Sequence, residues 1–166
     1  MAEKFSVASL NLSSDRSSFS SGVEALDRYF RNQVSQDIKR RVTACFVATD
    51  GLGQIAGYYT LASASVLLAD LPEAVVKKLP RYPSVPAVRM GRLAVDQSLK
   101  GKGLGAALLA DALRRAATAE IAAYAFVVDA KDEGAAGFYA HHGFVPLPDQ
   151  PLCMFLPIAT VKDLIR

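Results

Sequence analysis

The chain has 166 residues, 51% of them hydrophobic and 21% charged, with a formal net charge of +3. That length supports one domain, residues 1–166, with a substantial core, and the apolar content excludes an intrinsically disordered chain. No apolar run approaches the about 20 residues that cross a membrane, and no charged-then-apolar leader opens the chain, so a cytoplasmic protein is expected. Cys45 and Cys153 stand far apart in apolar surroundings and match no ligand spacing. They read as buried free thiols, and no metal site is indicated.

Phe5 to Leu10 alternates weakly and reads as a first strand, followed by a Ser-rich loop from Asp15 to Gly22. Val23, Leu26, Phe30, Val34 and Ile38 recur every three or four residues, which predicts one amphipathic helix ending at Lys39-Arg40-Arg41. Thr43–Thr49 and Gln54–Ala62, joined by Asp50-Gly51-Leu52-Gly53, predict an antiparallel hairpin. Leu71–Leu79 reads as a short helix, and Pro80 to Pro86, with three prolines, as a connection. Val88–Val95 is an apolar, partly β-branched run that suits a strand. Leu104, Leu108, Ala112 and Ala116, with Ala107 beside them, mark the buried face of the next helix. Ala123–Ala130 predicts a strand, and Asp132–His142 a helix carrying Ala135, Phe138 and Tyr139 on one side and closed by Gly143. Strand pieces at Phe144–Leu147 and Leu152–Leu156 and a terminal helix over Ala159–Arg166 complete an α/β chain: a mixed sheet of six to seven strands flanked by about four helices.

The stretch that bears chemistry lies between the strand Val88–Val95 and the helix that follows. Lys100-Gly101-Lys102-Gly103-Leu104-Gly105 places a glycine at every second position and opens a helix whose first-turn N–H groups have no intrahelical partner. Those donors, the helix dipole, Lys100 and Lys102 favour an anion, and a phosphate is expected. The Gly-x-x-x-x-Gly-Lys-Ser/Thr pattern of a nucleoside-triphosphate loop is absent. Gly101, Gly103 and Ala106 fit a dinucleotide fingerprint, with Asp129 ending the next strand, but five residues separate the strand from the first glycine and no second mononucleotide-binding half follows. A turn with no ligand is the remaining alternative.

Two further motifs narrow this choice. Lys100 to Gly105 resembles the Arg/Gln-x-x-Gly-x-Gly/Ala motif of the GCN5-related N-acetyltransferases, and Asp132 to Tyr139 followed by Gly143-Phe144 resembles that family's Asn-x-x-Ala-x-x-x-Tyr…Gly-Phe element. Phe19-Ser20-Ser21-Gly22, Gly57-Tyr58-Tyr59-Thr60-Leu61 and Gly91-Arg92-Leu93-Ala94-Val95-Asp96 are similar to one branch of it, the aminoacyl-tRNA-acetylating toxins of toxin–antitoxin pairs. Lys100 in place of Arg or Gln, and Asp132 in place of Asn, depart from the pattern.

The resemblance implies the fold of that family and acetyl-CoA as donor. The main chain of Leu93, Ala94 and Val95 would hold the pantetheine arm and thioester oxygen. Amides from Gly101, Lys102, Gly103, Leu104, Gly105 and Ala106, beside Lys100, would hold the pyrophosphate, with a cofactor contact at Asp132. Tyr139 would be the general acid for the leaving thiolate; read from helix spacing alone, it equally suits a core tyrosine. No general base is evident. His141 and His142 read as solvent-facing residues at a helix end, and Glu24, Glu73 and Glu133 have no catalytic context. An α-amine next to an ester is less basic than a lysine amine, so an aminoacyl-tRNA tolerates that absence. Arg89 and Arg92, three apart on a strand, point to opposite faces. Arg92, then Arg89, Lys77, Lys78 and Arg81, with Lys39 to Arg41 beyond, are the candidates for tRNA phosphates. The resemblance further implies a homodimer and a ribbon-helix-helix antitoxin partner. The rival readings are an acetyltransferase for a protein or small-molecule amine, and a non-catalytic coenzyme A sensor.

Overall fold

A computed structural model describes the backbone of residues 4–164 and the side chains of residues 4–161. Seven strands, β1 (Ser6–Ser9), β2 (Ala44–Thr49), β3 (Ile55–Leu67), β4 (Ser84–Val95), β5 (Ala125–Asp129), β6 (Val145–Leu147) and β7 (Gln150–Pro157), form one sheet in the order β1-β2-β3-β4-β5-β7-β6. Among the described residues six α-helices accompany them: α1 (Glu24–Asn32), α2 (Val34–Lys39), α3 (Glu73–Val76), α4 (Leu104–Thr118), α5 (Glu133–His141) and α6 (Ile158–Leu164). The mixed α/β class is as expected. The last two residues of the predicted terminal helix, 165–166, lie outside the described residues.

The chain divides into two compact units, one of residues 1–62 and 91–112 and the other of residues 63–90 and 113–166, so that the division falls inside β3, β4 and α4. In the first unit β1 pairs antiparallel with β2, and β2 antiparallel with β3 from Ala44↔Leu61 to Thr49↔Ile55. Its core gathers Leu10, Phe19, Phe30, Val34, Cys45, Val47, Tyr58 and Ala94. Phe30 stacks on Tyr58 at 4.2 Å between ring centres, and Phe19 meets both rings edge-on. In the second unit β4 runs parallel to β5 from Ala87↔Ala125 to Met90↔Val128, and β7 is antiparallel to both β5 and β6. Its core is built on Val66, Leu71, Val85, Val127, Leu147 and Phe155. Both cysteines are buried and free, as expected.

Four local readings change. The single helix expected from Val23 to Ile38 is two helices, because Gln33 leaves helical geometry with φ −122° and ψ −32°. The strand expected to end at Ala62 continues to Leu67 through a small, polar Ala-Ser-Ala-Ser run whose residues are mostly half-buried or exposed. Pro86 lies inside β4 rather than in a connection; a proline keeps its carbonyl, and the Tyr124 N–H donates to it at 2.8 Å. The helix expected over Leu71–Leu79 shrinks to one turn, with Lys78 and Leu79 held by tighter i→i+3 bonds.

Candidate active site

In the first unit the cradle begins where β4 ends. Ala94 is buried, and Leu93, Val95 and Asp96 are half-buried. The Asp96 carboxylate accepts the Ser98 N–H at 3.1 Å, the Ser98 hydroxyl at 2.8 Å and the Ser20 N–H at 3.1 Å. Partial burial pushes its carboxyl up, but these hydrogen bonds outweigh that and bring it below the usual carboxylate range. The Asp96 N–H donates to the Ala56 carbonyl at 2.8 Å, and Gln97 bonds Ser20 through its N–H and its side-chain amide, each at 2.8 Å. The Phe19–Gly22 segment thus pins the approach to the glycine turn. Gly22, at φ +86°, leaves only 3.1 Å between an added β-carbon and the Gln97 side chain.

Gly101 and Gly103 take φ +80° and +83° with open space around them, so backbone conformation rather than crowding requires glycine there. The first helical bond of α4 runs from the Ala107 N–H to the Gly103 carbonyl at 3.1 Å. The amides of Leu104, Gly105 and Ala106 therefore open the helix without i−4 partners. Lys100 and Lys102 are exposed beside them. On the other side of α4, Leu104, Leu108, Leu109, Ala112 and Ala116 are buried; Leu109 holds the place expected for Ala107, which is exposed. This loop and helix start fit a pyrophosphate.

Arg92 of the same unit is half-buried, its guanidinium carbon 3.3 Å above the centre of the Tyr29 ring. The Tyr29 hydroxyl donates to Asp37 at 2.7 Å, and the Gln33 side-chain amide donates to the other oxygen of that carboxylate at 3.1 Å. These bonds, followed by the charge of Arg92, hold the Asp37 carboxyl below its usual range. Sequence reading missed Tyr29 and Asp37; the spacing of eight residues carries no signal within one helix.

The second unit holds the remaining candidates. Asp132, in extended backbone, accepts the Ala135 N–H at 2.9 Å and is the N-cap of α5. That accounts for its departure from Asn, since either side chain caps a helix. Tyr139 is buried in α5, its ring edge-on to Phe138 at 5.3 Å and to Phe144 at 5.6 Å, with Phe144 edge-on to Phe126. Gly143, at φ +96°, closes the helix. Burial first, and the negative charge of Asp129 second, push the Tyr139 phenol up to about 12. Four tyrosines are buried. Tyr29, Tyr58 and Tyr59 donate their hydroxyls to Asp37, the Leu26 carbonyl and Asp111. The Tyr139 hydroxyl has no hydrogen-bond partner among the described residues, and no buried side-chain polar atom there is left unpaired, so it reaches the surface.

Arg89 forms an ion pair with Asp129. Lys77, Lys78 and Arg81 are exposed just beyond α3. His141 is exposed, whereas His142 is half-buried against Phe138 at 4.9 Å. The structure thus assembles Leu93–Val95, Lys100–Ala106 and Arg92 in one unit, and Asp132, Tyr139, Arg89 and the basic residues after α3 in the other.

Among the described residues, the first unit thus offers a loop and helix start that fit a pyrophosphate, and the second a buried phenol without a hydrogen-bond partner. The family model described as an acetyltransferase (GNAT) domain matches residues 18–154. A protein of Mycobacterium tuberculosis named tRNA-acetylating toxin is 38% identical over 153 residues, covering 91% of this chain and 90% of that protein. The solved structure of AtaT complexed with acetyl-methionyl-tRNAfMet is similar with a TM-score of 0.90 at 29% identity, over 98% of this chain and 100% of that one. A tyrosine-to-phenylalanine mutant of the AtaT toxin, bound to the C-terminus of the antitoxin AtaR and acetyl-CoA, is similar with a TM-score of 0.81 at 25% identity, over 98% and 99% of the two chains.

Proposed function

The chain belongs to the acetyltransferase (GNAT) family, and on that premise we propose that it is the toxin of a toxin–antitoxin pair, acetylating the α-amino group of aminoacyl-tRNA. The observation that carries this reading is its likeness, over most of the chain, to a tRNA-acetylating toxin.

Acetyl-CoA supplies the acetyl group as a thioester. In this proposal the main chain of Leu93–Val95 holds the pantetheine arm and polarises the thioester carbonyl. The amides of Gly101–Ala106 and the charges of Lys100 and Lys102 hold the pyrophosphate. Asp132 serves the site by capping the helix that carries Tyr139. The Tyr139 hydroxyl gives its proton to the departing sulfur; a phenol held near 12 is fully protonated at neutral pH and has a proton to give. The α-amine beside an ester is substantially neutral at pH 7, and water takes up its proton. Arg92, Lys77, Lys78 and Arg81 bind RNA phosphates, and Arg89, paired with Asp129, adds less. The chain works as one acetyltransferase domain, as a homodimer in the cytoplasm where charged tRNA is found, and is neutralised by an antitoxin of the ribbon-helix-helix class.

The test is incubation of the protein with labelled acetyl-CoA and charged tRNA, uncharged tRNA or a lysine peptide. Label on the α-amine of charged tRNA alone is expected. Label confined to the peptide would overturn the substrate assignment.

A further inference from the structure

Arg92 differs from the other half-buried arginines of described partnership. Arg16 donates to the Phe30 carbonyl and to Ser35, and Arg89 is paired with Asp129. Arg92 makes no hydrogen bond or ion pair among the described residues, and none of its nitrogens is a buried orphan. A carbon 3.3 Å above the ring centre requires the guanidinium to lie face-on over Tyr29, since an upright one would drive a nitrogen into the ring. The plane is therefore set by the tyrosine while the N–H fork is uncommitted. The tyrosine is set in turn: its hydroxyl is held by Asp37, and Asp37 also by Gln33. In one continuous helix, residues eight apart would be separated by about 12 Å along the axis. The break at Gln33 brings Asp37 of α2 to the hydroxyl of Tyr29 on α1.

We propose that Tyr29 and Asp37 are positioning residues that pre-orient the Arg92 guanidinium as a two-pronged receptor for one backbone phosphate of the acceptor RNA. The inference rests on the reading of tRNA as substrate and adds how one phosphate is held. Arginine, not lysine, suits such a place, because a planar fork matches two phosphate oxygens and stacks on an aromatic face. Fixing the fork in advance lowers the side-chain ordering that binding costs.

The experiment measures binding of uncharged tRNA from 50 to 200 mM KCl, together with steady-state acetylation of charged tRNA, for Arg92→Ala, Arg92→Lys, Tyr29→Phe and Asp37→Asn. Loss of one phosphate contact lowers the slope of log affinity against log salt by about one. Arg92→Ala is expected to show that loss. Arg92→Lys keeps the charge, so it should keep much of the slope and still bind several-fold more weakly. Tyr29→Phe keeps the ring and Asp37→Asn keeps the shape. Both should raise KM for charged tRNA several-fold while leaving kcat and KM for acetyl-CoA unchanged, a pattern that a general loss of folding would not give. Wild-type KM for tRNA in both variants would overturn the positioning role, and an unchanged salt slope in Arg92→Ala would overturn the phosphate contact. If wild type binds tRNA through Arg92 and acetylates none of it, the substrate assignment fails while the receptor stands.

Discussion

Gly57 of β3 lies so close to Leu108 of α4 that a β-carbon on it would stand 2.8 Å from Leu108 Cδ1 and 2.9 Å from the Ala94 carbonyl oxygen. Leu108 has a flexible end; the Ala94 carbonyl is backbone. Glycine is thus required where the cradle helix and the end of β4 approach β3. Gly57→Ala is expected to cost about 1–3 kcal/mol in denaturant unfolding, as overpacking does. Adding Leu108→Ala should not restore that stability, because the clash with the Ala94 carbonyl persists. Full restoration would show that the leucine contact was the whole of the effect.

Asp96 ties the end of β4 to the Ser20 loop and caps the turn that leads to Lys100. Asp96→Ala should raise KM for acetyl-CoA several-fold with a smaller change in KM for charged tRNA. Because the folded carboxyl is held below its usual range, its contribution is present above about pH 4 and is lost as pH falls through the folded value. Acid unfolding monitored by circular dichroism should therefore lose part of its pH dependence in Asp96→Asn.

Asp132→Ala removes the cap of α5 and is expected to cost about 1 kcal/mol, whereas Asp132→Asn should be near wild type. In a protein of this size that is a fall of about 2–4 °C in Tm. A large rise in KM for acetyl-CoA in Asp132→Asn, with Tm unchanged, would instead assign Asp132 a direct contact with the donor.

Burial, the largest influence, pushes the Cys45 thiol up to about 12 against the pull of Arg16 and Arg92, and Tyr139 reaches about the same value. The folded state then keeps protons that the unfolded chain releases above about pH 9. The stability these groups contribute is complete below that pH and falls as pH rises toward 12. Urea midpoints should decline from pH 9 to 11, and less so in Cys45→Ala once its own stability offset is subtracted. Over the same range kcat should show no descending limb from Tyr139 below about pH 10, since the phenol is still protonated there.

Much of the fold was legible because period and punctuation agreed. Leu104, Leu108, Ala112 and Ala116 lie on the buried face of α4, and Gly143 ends α5. Ala107 and Leu109 exchanged places because the buried stripe is wider than one row of residues every four positions. The break at Gln33 carries no glycine or proline to announce it; the bond that Asp37 accepts from Tyr29 accompanies it, and that bond joins two helices rather than neighbours in one. Ser63 to Leu67 continues β3 although alanine and serine favour strands little, because sheet context outweighs local preference. At the candidate site, glycine spacing and the Tyr139 element were visible in the chain. That three other buried tyrosines have committed hydroxyls, while Tyr139 has no partner among the described residues, was visible only in three dimensions.

Acetylation of aminoacyl-tRNA with Tyr139 as proton donor is tested by single-turnover reaction of charged tRNA with labelled acetyl-CoA in wild type and Tyr139→Phe, donor and RNA affinities being measured in parallel. Wild type is expected to yield N-acetylated aminoacyl-tRNA and Tyr139→Phe to show a chemical step slowed by about 10²-fold or more, with both affinities retained. Equal rates in the two proteins would contradict the proton-donor role of Tyr139.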